Sequence, residues 1–303
     1  MTKTAPSIPH RPSENISAIA WMVAATFIAV GTHAIVRQVG STSMHPLQVA
    51  FFYNLFTIPI IIPLILRNGI GVLRARRYGL LVARAILHLS SMLLLFIGLT
   101  LTPLATATAL NFLAPLFAVV LAALFLGENF NLRRWIALAA GCAGMLIIIR
   151  PDPGSFDIGA LVMVVSSLLW GATLPIIKLL SRTESSATIT AWMALMITPL
   201  ALIPAIPVWT TPDAVDLAWL AAAGILGAFA QWALTQALKT GATNVVMPID
   251  FLRLVWGVLL GLAVFQEVPD IYAVIGGAII FISSTWLTWR ERRAGPTVAP
   301  RKA

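Results

Sequence analysis

The chain has 303 residues, of which 59% are hydrophobic and only 10% charged, with a formal charge of +9 and a mean hydropathy of +0.92. No single soluble core of this length requires so much apolar sequence, so the composition indicates a polytopic membrane protein and gives no call for nucleic acid as the partner of the basic residues. The one cysteine, Cys142, lies in an apolar run and excludes an intramolecular disulfide, and the ten-residue alternating segments of a membrane β-barrel do not occur.

Residues 1–15 are polar and are expected to form a cytoplasmic tail. The first apolar run that follows has no small-residue cleavage pattern and should remain as a helix. A spanning helix needs ~20 largely apolar residues. That criterion predicts ten spans: 16–36, 47–66, 78–99, 103–126, 133–149, 158–178, 187–208, 217–238, 242–265 and 271–289. With this count both termini share one side of the membrane. Sixteen of the 20 Lys and Arg residues fall on that side, Arg37 and Arg150 on the other, and Arg84 and Arg253 within spans. The positive-inside rule then puts both termini in the cytoplasm, with residues 290–303 as a basic tail.

Polar residues at bilayer depth are costly and therefore informative. Span one carries His33, which suits either a structural hydrogen bond or a coupling role. In span three, Arg84, His88 and Ser91 stand at i, i+4 and i+7, a single polar stripe. Arg84 and His88 are candidate substrate contacts; Arg84 lies near enough to the cytoplasmic end to snorkel instead, while His88 is deeper and suits packing or proton transfer equally. Span four presents Thr108, Asn111 and Pro115, and span eight Gln231 and Thr235, as interhelical hydrogen-bonding groups or ligand contacts. Trp170 in span six is deep enough to stack on a ring.

Span nine holds the strongest anomaly. Asp250 and Arg253 are three residues apart in its middle third and can pair. The functional reading is a site for a zwitterion, with Arg253 on a carboxylate and Asp250 on an ammonium group or a proton. The structural reading is a self-neutralised pair, although such pairs are poor stabilisers. Pro248 precedes it and removes a backbone donor, and Trp256 follows within one turn. Glu128 and Glu267 close spans four and nine and suit capping or gating. Small-residue strips at Gly257 and Gly261 and at Ala137, Gly141 and Gly144 fit helix packing within one chain or across a homodimer.

The chain repeats itself. A shift of 139 places Phe112-Leu113 on Phe251-Leu252 and Glu128 on Glu267, and a shift of 140 places Gly31 on Gly171. Five spans per half force the second half to enter the membrane upside down. The expected architecture is an all-α integral membrane protein of ten transmembrane helices built as two inverted five-helix repeats, 16–149 and 158–289, joined by a linker at 150–157.

Residues 106–128, TATALNFLAPLFAVVLAALFLGE, and 168–178, LLWGATLPIIK, resemble the two halves of EamA-type members of the drug/metabolite transporter superfamily. The marks are Trp170-Gly171 ahead of Lys178, Pro115, and the terminal Gly127-Glu128 with its variant Gln266-Glu267. In the first half Val30 stands where the Trp would precede Gly31, and the base, Arg37, falls one position early. The resemblance implies alternating access and transport of a small metabolite, with Lys178 a gating or coupling candidate. No nucleotide-binding, hydrolase or metal motif is present, so no cofactor, metal or catalytic residue is expected. The expected function is secondary transport of a small polar or zwitterionic metabolite, with aromatic amino-acid export first and uptake of a riboflavin-like or S-adenosylmethionine-like compound as the alternative. A membrane-embedded enzyme and a structural subunit are the rivals from other classes.

Overall fold

The computed structural model describes residues 12–68, 73–126, 132–150, 157–240, 249–250 and 252–294. Eleven α-helices occupy the described residues: α1 Pro12–Thr42, α2 Pro46–Asn68, α3 Tyr78–Leu101, α4 Leu104–Asn111, α5 Ala114–Leu126, α6 Leu132–Ile149, α7 Ile158–Leu180, α8 Ser186–Ala205, α9 Ala214–Thr240, α10 Leu252–Phe265 and α11 Ile271–Ala294. No strand occurs among them. Six helical stretches are long and apolar enough to cross a membrane, and three shorter apolar helices accompany them. Large apolar side chains such as Ile86, Leu124, Leu146, Ile225 and Ile282 lie exposed around the outside, as a lipid-facing belt requires.

The expected span 103–126 is broken. Helix α4 stops at Asn111, Phe112 and Leu113 form a turn, and α5 starts at Ala114. Pro115 is the cause: it has no amide for the carbonyl four residues back, which is that of Asn111, and its ring would strike it. The chain answers by tightening, with the Phe112 amide donating to the Ala109 carbonyl at 3.2 Å and the Leu113 amide to that of Leu110 at 3.1 Å. In the second half α10 begins at Leu252, the equivalent of Leu113, and Ile249 and Asp250 ahead of it have 3-10 geometry; residues 241–248, Pro248 among them, and 251 lie outside the described residues.

Helix pairings run between the halves. Helix α1 packs on α9, α3 on α7, α2 on α8, α6 on α11 and α4 on α10. Exchanging the halves turns the first pairing into the second and each of the others into itself, the pattern of a pseudo-two-fold arrangement. Helices α3 and α7 run antiparallel: Ser91 Oγ donates to the Ser166 carbonyl at 2.9 Å and Ser166 Oγ to the Ser91 carbonyl at 2.7 Å, while Met163 sits against Gly98. Helices α1 and α10 run parallel, with contacts from Thr26–Trp256 to Arg37–Glu267. The described helices therefore end on two faces. One carries Ser43–Asp216 (2.7 Å), Gln48–Thr210, Leu104–Glu267 and Arg150–Asp270. The other carries the Arg76 and Arg77 amides on Glu184 and Trp192 Nε1 on the Leu73 carbonyl.

Gly171 shows why the tryptophan-glycine motif matters to packing. A Cβ there would stand 2.7 Å from the Ala114 carbonyl oxygen and 3.0 Å from the Ala118 amide, so α7 lies directly on the α5 backbone. Its repeat partner Gly31 has nothing within 4 Å. Among the described residues two non-glycine residues have positive φ, Arg150 at 43° and Gln266 at 55°. They follow α6 and α10 on the same face. Gly127 stands in the first repeat where Gln266 stands in the second, so the second half carries a strain that a glycine would relieve.

The backbone contact at Gly171 predicts that Gly171→Ala destabilises the protein by about 1–3 kcal/mol, whereas Gly31→Ala stays within about 0.5 kcal/mol. Thermal unfolding in detergent measures both. Equal shifts for the two variants would disprove the asymmetry.

Candidate functional site

The α4–α5 break and the start of α10 face a two-lobed cavity. One lobe, about 140 Å³, is lined by Val30 and His33 of α1, Leu95 and Leu99 of α3, Thr108, Asn111 and Pro115 around the α4–α5 break, Trp170 of α7, and Asp250 and Arg253. A second lobe, about 150 Å³, lies between α1, α2 and α9 and is lined by Thr32, His33, Tyr53, Gln231 and Arg253 among others. Ala29, His33 and Arg253 border both lobes and form the partition. Each lobe alone is smaller than the ~300–1,000 Å³ of a pocket for a drug-sized ligand.

Asp250 and Arg253 meet as expected, Oδ1 to Nε at 2.7 Å, with side chains 21% and 27% exposed. The two atoms attract but are out of line for a hydrogen bond, and neither finds another partner. The pair is thus neutral as a whole while its hydrogen-bonding capacity is incompletely used, a state suited to receiving a polar ligand. Asn111 faces the same lobe from the first half. Thr108 is less available, because its hydroxyl donates to the Leu104 carbonyl at 2.7 Å.

The remaining candidates divide. His33, Trp170 and Gln231 reach the cavity. Trp256 does not line either lobe: its indole Nε1 donates to Thr26 Oγ1 at 3.3 Å and its ring meets Phe27 edge-on at 5.3 Å, which commits it to α1. Arg84 and His88 also stand outside both lobes, His88 against the Trp170 ring at 5.0 Å. Glu128 and the side chain of Lys178 lie outside the described residues. Tyr53 and Thr32 line the second lobe without having been singled out from sequence; a Tyr in an apolar run gives no periodic signal.

Glu267 binds Arg37, 230 positions away, through both carboxylate oxygens, with Nη1 to Oε2 at 2.8 Å. The side chains are 22% and 13% exposed. The Leu104 amide at the start of α4 donates to the same Oε2 at 3.1 Å, and the guanidinium lies 4.6 Å over the Phe265 ring. Beside it Arg150 pairs with Asp270 and covers Tyr272 at 3.6 Å. Both bases that the charge count assigned to this face are therefore ion-paired, and α1, α4 and α10 are tied together at one end of the cavity. The sequence placed Glu267 at a helix end, but its partner depends on how the halves interleave.

A family model for EamA-like transporters matches the chain twice, over residues 16–150 and 157–289. The chain belongs to the EamA-like transporter family. Among its relatives are a riboflavin transporter of Rhizobium johnstonii, 32% identical over 95% of this chain and 96% of that protein, and one of Vibrio cholerae, 29% identical over 95% and 97%. An S-adenosylmethionine uptake transporter of Rickettsia prowazekii is 26% identical over 92% of this chain and 95% of its own. A solved crystal structure covers 94% of this chain and 99% of its own with a TM-score of 0.58 at 19% identity, a likeness of fold alone. Family membership makes the chain a multi-pass membrane transporter. These relatives match the expected alternative, a vitamin or nucleoside-like cofactor, and lend no support to aromatic amino-acid export. That expectation leaned on Trp256 beside the charge pair, and Trp256 is turned toward α1.

Removing one member of the Arg37–Glu267 pair leaves the other half-buried and unmatched. Arg37→Gln and Glu267→Gln should each lower stability by about 1.5–3 kcal/mol. The exchange Arg37→Glu with Glu267→Arg should recover part of the loss, limited by the Leu104 amide, which an arginine cannot satisfy. A thermal double-mutant cycle with no coupling would refute the tie.

Proposed function

We propose that this protein is a secondary transporter of the cytoplasmic membrane that carries a ring-bearing, polar metabolite of the riboflavin class by alternating access. Two inverted five-helix halves, with both termini in the cytoplasm, rock about the cavity between the α4–α5 break and the start of α10. The observation that carries the substrate class is the lining of that cavity: the Trp170 ring wall, the amides of Asn111 and Gln231, His33, and the incompletely bonded Asp250–Arg253 pair, on a chain whose relatives include riboflavin transporters. A heterocycle stacks on the tryptophan while its carbonyl and imide groups address the amides and charges.

In this reading the Arg37–Glu267 and Arg150–Asp270 pairs close the extracellular face. Cavities this small fit a contracted, substrate-free state, and withdrawal of Arg253 from the partition joins the lobes into one site. Interrupted helices at the midplane suit this role because their unpaired backbone groups serve the ligand without being exposed to lipid.

The same charge pair favours a second reading, a substrate of the S-adenosylmethionine class, whose amino-acid end offers a carboxylate to Arg253 and an ammonium to Asp250. Uptake into proteoliposomes separates the two. For a riboflavin-class substrate, Asn111→Ala and Trp170→Ala should lower uptake at least about tenfold, the loss of one buried hydrogen-bonding or stacking contact of about 1.4 kcal/mol or more, and Arg253→Gln less. For an S-adenosylmethionine-class substrate, Asp250→Asn and Arg253→Gln should dominate. Wild-type protein that transports neither compound would overturn the substrate assignment.

A further inference from the structure

Outside the cavity, one buried charge has no counterpart among the described residues. The side chain of Arg84 on α3 is half-buried, and its Nε and Nη1 are sealed from the surface without a hydrogen-bond partner. The acids with described side chains cannot supply one. Asp250, Glu267 and Asp270 pair with Arg253, Arg37 and Arg150. Glu184 takes the Arg76 and Arg77 amides, Asp157 caps α7 through the Ala160 amide, Asp213 takes the Asp216 amide, and Asp216 takes the Ser43 hydroxyl. A guanidinium with two of its three nitrogens out of water and unmatched is costly for a membrane helix to hold.

Its surroundings specify what would match it. One turn toward the start of α3 lies Leu81, buried with Leu180 and Ile189 against Ile176 and Trp192 in an apolar cluster at that end of the helix. One turn the other way lies His88, in contact with Trp170, the ring wall of the first lobe. The approach to α3 carries Arg74, Arg76 and Arg77, so the local field attracts anions. The planar fork of an arginine fits a phosphate or carboxylate through two parallel hydrogen bonds.

We propose that Arg84 is an anion-binding site that takes a phosphate or carboxylate group on the α3 side of Trp170, separate from the Asp250–Arg253 site. That group belongs either to a ligand whose ring lies at Trp170 or to the headgroup of an anionic phospholipid entering along the exposed flank of Val82 and Ile86. The site does not depend on which ring the cavity accepts.

The test uses the full-length protein in phosphatidylcholine nanodiscs, with thermal unfolding followed during titration with inorganic phosphate, riboflavin and flavin mononucleotide. Phosphate should raise the Tm of the wild type, and flavin mononucleotide should raise it more than riboflavin. Arg84→Gln should lose both phosphate-dependent increments and unfold at a higher temperature than wild type when no anion is present, since the unmatched charge is gone. Arg84→Lys, which keeps the charge without the fork, should retain a weakened response and carries the test if Arg84→Gln does not fold. If phosphate is inert but partial replacement by phosphatidylglycerol stabilises the wild type and not Arg84→Gln, the anion is the lipid headgroup. A wild type indifferent to all these anions, or a variant that responds as the wild type does, overturns the site. A phosphate response through Arg84 with both flavins inert would instead refute the riboflavin reading and leave the anion site standing.

Discussion

A proline that removes one amide from the middle of an apolar helix organises the centre of this protein. In hydrocarbon an unpaired carbonyl is costly, so a chain that cannot bond the Asn111 carbonyl within its helix must turn that carbonyl toward protein or a polar cavity. The helix stops at Asn111, and the turn at Phe112 and Leu113 leaves Asn111 on the wall of the cavity. The start of α10, at the equivalent of Leu113, lies across the bundle from this break, and the cavity opens between them. Gly171 then fixes the distance, letting α7 lie on the first turn of α5 so that Trp170 forms the cavity wall.

The two halves use this shared frame differently. Asn111 in the first half corresponds to Asp250 in the second, and Ala114 to Arg253. Charge was thus placed on one side only of a duplicated scaffold, and it borders both lobes. The ties at the Glu267 face are equally one-sided, since they join α1 and α4 of the first half to the end of α10.

Much of this could be read from the sequence. The all-helical, membrane-spanning character followed from apolar run length, and the polar stripe of span three lies on the helix expected. The inward direction of His33, Asn111, Gln231 and the charge pair followed from the cost of placing such groups against lipid. What could not be read was pairing across long separations: Arg37 with Glu267, or Trp256 with Thr26, depends on which helices of opposite halves touch. Periodicity describes one helix at a time and says nothing of its neighbour. The break at Phe112 was also hidden, because a membrane proline is as compatible with a kink as with a full interruption.

The left-handed residues at the Glu267 face offset part of what its ion pairs contribute. Holding Arg150 and Gln266 at positive φ costs about 1–3 kcal/mol each, comparable to the roughly 1.5–3 kcal/mol of a charged hydrogen bond. The ion pairs and the bent backbone beside them therefore work against each other, and Gln266→Gly, the residue that position 127 carries in the first repeat, would remove the opposing cost. In the proposed alternating-access cycle, a face held shut by so small a balance is one that opens readily.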